Sequence, residues 1–104
     1  MSDRVYNDKG EVAVLVSPGF GAGWSTWNSD IDCLFTPEIV QMCLAEKPKS
    51  EIEARAAEIW PDGYWGGADD VQVVWIPKGT IFRIDEYDGS ESIETYDSVG
   101  WFVA

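Results

Sequence analysis

The chain has 104 residues, with seven Lys or Arg against 19 Asp or Glu, no His, and a net charge of −12. That balance argues against direct binding to nucleic acid or to an anionic membrane, both of which need a basic footprint. The missing His excludes His-based acid–base catalysis and His-ligated metal sites. With 45% apolar residues and six Trp, the chain has the means to bury one core without disulfide staples. It reads as a single α+β domain over residues 1–104.

Met1-Ser2-Asp3-Arg4 leads into polar residues rather than a secretory leader. No stretch approaches the roughly 20 apolar residues of a membrane span. Only two cysteines are present, Cys33 and Cys43, which is a weak disulfide signal and favours a reducing compartment. A cytoplasmic location is expected on these grounds.

In chain order, Tyr6-Asn7-Asp8-Lys9-Gly10 is a turn, joining a short strand at Arg4-Val5 to the next. Glu11 to Ser17 is β-branched and nearly all apolar, the pattern of a strand buried on both faces. After Pro18 comes the uncharged loop Gly19-Phe20-Gly21-Ala22-Gly23-Trp24-Ser25-Thr26-Trp27-Asn28. Thr36-Pro37-Glu38 starts a helix, with Thr as cap and Pro at the first position. Pro48 stops it, and Ser50 with Glu53 spells a capping box for a second helix. Ile52, Ala56, Ile59 and Trp60 then share one face, and Pro61-Asp62-Gly63 closes that helix.

Tyr64 to Asp70 is a second glycine-rich loop. Val71 to Ile76 is a strand, with Val71, Val73 and Trp75 on one side and Val74 and Ile76 on the other. Turns at Pro77-Lys78-Gly79 and Asp88-Gly89-Ser90 separate strands Thr80 to Tyr87 and Glu91 to Tyr96. Val99, Trp101 and Val103 alternate in a last strand. Consecutive hairpins imply an antiparallel meander of four to five strands in one sheet, with the two short helices on one face.

Two groups of residues stand out as candidate sites. Gly19, Gly21 and Gly23 follow a strand, and alternating glycines let backbone N–H groups approach a ligand closely. The spacing is neither a dinucleotide fingerprint nor a P-loop. Val12 to Ser29 carries no charge, so a nucleotide- or sugar-like ligand could be held there. Trp24, Trp27, Tyr64 and Trp65 would stack on it, and Ser25, Thr26 and Asn28 would bond its hydroxyls. A homo-oligomer would deepen such a pocket. The alternative is a loop that serves tight turns, with its tryptophans in the core.

The second group is the acidic run Asp85, Glu86, Asp88, Glu91, Glu94 and Asp97, which holds no Lys or Arg. On one strand face it would engage a basic partner protein, with charge speeding the encounter; a solvated face is the plainer reading. Asp69 and Asp70 are the best-placed carboxylate pair for acid–base work, which needs one carboxyl raised by its surroundings. Asp85 to Gly89 fails the calcium-loop pattern, and no cofactor motif is present. A binding protein is expected rather than an enzyme.

Ser17-Pro18-Gly19-Phe20-Gly21-Ala22-Gly23-Trp24-Ser25-Thr26-Trp27-Asn28, followed by Phe82-Arg83-Ile84-Asp85-Glu86-Tyr87-Asp88-Gly89-Ser90-Glu91, resembles small proteins carried by bacteriophages and prophages. The resemblance covers most of the chain and brings no catalytic residues. It implies a non-enzymatic protein that acts by binding in the host cytoplasm, either blocking a host defence protein or sequestering a nucleotide-derived signal.

Overall fold

The computed structural model describes residues 4–19, 21–28 and 31–95. At its centre lies β1 (Glu11–Val16), buried from Val12 to Val16. The Asn7 side chain accepts from the backbone N–H of Lys9 and of Glu11, closing the turn that lets Tyr6 bridge Val12. Past the 17–28 loop and a short 3-10 turn at Ile31–Leu34, two helices follow: α1 (Pro37–Leu44) and α2 (Lys49–Ile59). β2 (Gln72–Pro77) then pairs antiparallel with β1, placing Val14 opposite Val74.

The helix starts differ from the sequence expectation in detail. Thr36 donates its hydroxyl to the Asp32 carbonyl instead of capping α1. Pro48, at φ −55° and ψ 140°, stands at the N-cap of α2. That start puts Ser50 inside the first turn, so no capping box forms. Lys49 instead fastens the start of α2 to the sheet, donating to the Val71 carbonyl at 2.9 Å. Arg55 on α2 clasps both carboxylate oxygens of Glu38 on α1 at the surface.

The larger difference is in the sheet. β3 (Phe82–Tyr87) and β4 (Ser90–Thr95) pair with each other, not with β2, so the described strands form two antiparallel sheets of two strands each. The turn after Pro77 forms, with Thr80 N–H bonded to the Pro77 carbonyl, but it throws the hairpin across the face of β1 and β2. Burial explains why. Ala13 and Leu15 face Ile39, Val40, Ile52 and Ala56 of the helices. Val12, Val14 and Val16 point the other way and need their own cover, which Phe35, Phe82, Ile84 and Ile93 provide. A flat meander with helices on one side would leave those valines in water, at about 25 cal/mol per Å². The result is three layers: helices, the β1–β2 pair, and the β3–β4 hairpin. The strand expected at Val99, Trp101 and Val103 lies outside the described residues.

This layering predicts the response of Val14, which is fully buried under the hairpin. Val14→Thr keeps the shape but buries a hydroxyl, and should lower unfolding free energy by about 1–3 kcal/mol in urea titration. A neutral result would mean that the hairpin does not cover that face.

Candidate binding surface

The glycine loop does bind a carboxylate, and it is the chain's own. Glu91, the second residue of β4, lies beside the end of β1 and is only 1% exposed. Its Oε1 accepts the Ser17 N–H at 2.9 Å. Its Oε2 accepts the Trp24 N–H at 2.7 Å, the Thr26 N–H at 3.0 Å and the Thr26 hydroxyl at 2.6 Å. All four partners are donors, the environment that suits an ionised carboxylate. In return the Glu91 N–H donates to the Ser17 carbonyl at 2.8 Å.

Further bonds bind the same two segments. Ser90 donates its hydroxyl to the Pro18 carbonyl at 2.6 Å, and Gly21 N–H donates to the Asp88 carbonyl at 2.9 Å. Asp88 and Gly89, at φ 50° and 84°, make the two-residue hairpin turn. A Cβ on Gly89 would strike the backbone of Gly21 and Ala22, so this glycine serves both the turn and the contact. Gly23 is buried with Thr26, Trp27 and Glu91 around the place a Cβ would take.

These contacts correct the ligand-cradle expectation for most of the loop. The N–H groups of Gly21, Trp24 and Thr26 are engaged within the chain. Trp24 is 0% exposed and donates its indole N–H to the Cys33 carbonyl at 2.7 Å. Trp65 is buried too, with its indole N–H on the Trp60 carbonyl. Trp24, Trp65 and Trp60 pack in a row as a ladder of tilted rings, with centroids 4.8 Å and 5.0 Å apart, so Trp24 and Trp65 are core. Gly19 packs against the Asp70 side chain. Ser25 opens the short 3-10 turn Ser25–Trp27, which aims Trp27 outward.

Trp27 is exposed, at 42%, and it meets Tyr64, at 55%, with ring centroids 5.5 Å apart. Asn28 holds the pair in place. Its amide nitrogen donates to the carbonyls of Trp24 and Tyr64, and its amide oxygen accepts the Tyr64 N–H at 2.8 Å. Asn28 is therefore a brace rather than a ligand group. Beside the pair opens a cleft of about 670 Å³, whose walls include Trp27, Tyr64, Trp60 and Asp62. Sequence reading passed over Trp60 and Asp62 here, because the end of α2 comes to Trp27 only through folding.

The acidic run does not form one face. With the hairpin register Ile84 opposite Ile93 and Glu86 opposite Glu91, alternation puts Glu86 and Glu91 on the inner side, with Asp85 and Glu94 on the outer. Glu91 is internal, which removes it from any partner surface. Glu94 pairs with Arg83 at 2.7 Å, and that pairing holds the Arg83 guanidinium above its ordinary value. Glu86 accepts the Gly89 N–H at 2.7 Å and the Trp27 indole N–H at 3.4 Å. Asp85 and Asp88 are exposed, and Asp97 lies outside the described residues. The signal for Glu91 was present in the sequence: it shares the parity of Ile93, the apolar side of its strand.

Asp69 ends the short turn Gly66–Asp69 and Asp70 follows it; both are exposed. Among the described residues no helix is long and apolar enough to cross a membrane. Comparison with protein-family models, with curated proteins and with solved structures finds no match to this chain.

Glu91→Gln tests the internal clamp. Whichever way the amide turns, its NH₂ meets an N–H donor where an oxygen stood. Chemical denaturation should show a loss of about 1–3 kcal/mol, against less than about 0.5 kcal/mol for exposed Asp85→Asn. Equal effects would mean that the clamp does not support the fold.

Proposed function

We propose that this protein is a non-enzymatic binding protein that masks a basic region of a partner protein, in the manner of a phage-encoded inhibitor acting on a host protein in its cytoplasm. The observation that carries this reading is the Trp27 indole hydrogen bond to Glu86. It joins the exposed Trp27–Tyr64 pair to the acidic end of the β3–β4 hairpin, where Asp85 and Asp88 stand in solvent. One exposed aromatic of the first candidate group, Trp27, thereby lies next to one acid of the second, Glu86. Exposed Trp and Tyr are the residue types enriched at protein-binding hot spots. A net charge of −12 adds long-range attraction for a basic partner.

Capture of a nucleotide-like ligand has less support. The loop's N–H groups already hold Glu91, and the open cleft beside Trp27 carries Asp62, an unfavourable neighbour for a phosphate.

Interferometry against an immobilised Arg- and Lys-rich peptide provides the test. Binding should weaken about tenfold or more from low to high salt, and Asp85→Lys with Asp88→Lys should abolish it. Absence of binding, or binding indifferent to salt and to charge reversal, would overturn the reading.

A further inference from the structure

The cleft beside Trp27 and Tyr64 has a chemical bias that narrows what it can hold. Its aromatic walls are Trp27, Tyr64 and Trp60, and its floor brings in Asp62. Three side-chain donors in and around it are committed. The Asn28 amide nitrogen serves two carbonyls, the Trp27 indole N–H serves Glu86, and the Trp65 indole N–H serves the Trp60 carbonyl. Its lining side chains include aromatic rings and one carboxylate, Asp62. No Lys or Arg contributes to its walls. A group that suits such a site is flat, cationic and rich in donors.

We propose that this cleft seats one arginine side chain of the partner protein. The guanidinium lies over the Trp27–Tyr64 pair, and the Asp62 carboxylate accepts its N–H groups. Arginine fits better than lysine, because its planar cation stacks on rings and offers paired donors, whereas an ammonium is compact and strongly hydrated. A sugar also stacks on aromatic rings, but it carries no positive charge for the Asp62 carboxylate to complement. This inference rests on the functional reading above, since it names the partner group that reading leaves open.

The test follows the indole N–H signals of the ¹⁵N-labelled chain by NMR, with acetyl-arginine amide as the probe. A saturable shift of the Trp27 indole is expected with this probe. Acetyl-citrulline amide, the neutral isostere, should bind at least about fivefold more weakly, and acetyl-lysine amide should fall between them. Asp62→Asn should weaken the arginine probe about threefold or more while leaving the other indole signals in place, which shows that the fold is kept. Equal binding of citrulline, no saturable shift, or a stronger response to a saccharide would overturn the proposal. So would free arginine binding more tightly than the capped form, since the occupant would then be the amino acid. Salt-dependent binding of the basic peptide without any shift at Trp27 would sink this inference alone and leave the functional reading standing.

Discussion

The seating of the glycine-rich loop against the β3–β4 hairpin depends on one buried carboxylate. Among the described residues Glu91 makes no ion pair; the loop from Ser17 to Thr26 supplies four hydrogen-bond donors instead. Burying a charge is costly unless its hydrogen bonds are complete, and here they are complete because the loop carries glycines and no charge of its own. The arrangement works in both directions. Glu91 gives the loop's N–H groups their acceptor, and the loop gives the hairpin a fixed place on the outer face of β1.

Two like charges directly across a strand pair repel, and Glu86 and Glu91 are such a pair. The structure separates them by direction. Glu91 turns into the loop, while Glu86 turns toward the Gly89 N–H and the Trp27 indole. A strongly acidic protein has here put one acid to internal use and its neighbour at the edge of an exposed aromatic pair.

Much of the fold was legible in the sequence. The double-sided burial of β1, the alternation of Val73 and Val74 in β2, and the Asp88-Gly89 turn follow from local pattern. The layering was not, since Pro77-Lys78-Gly79 is compatible with a hairpin in one sheet and with a corner between two. The apolar parity of Val12, Val14 and Val16 decides between these, because it demands a second cover. The site was legible in composition and misread in role. Glycine-rich backbone that suits a foreign anion suits a native one equally well, and only the register of β4 says that Glu91 fills it. Trp24 and Trp27 are three residues apart, yet the short 3-10 turn sends one into the core and the other into solvent.

That division of the tryptophans bears on how a surface this small could bind at all. Ordering mobile side chains on association costs about 0.5–1.5 kcal/mol for each one immobilised. Here the ladder of Trp24, Trp65 and Trp60 forms a rigid support, and Asn28 ties the backbone of Tyr64 to the carbonyl of Trp24. Trp27 is restrained by ring contact on one side and by Glu86 on another. The exposed rings are therefore placed before any partner arrives, by bonds that belong to folding. The buried Trp24 thus supports, from behind, the position of the exposed Trp27.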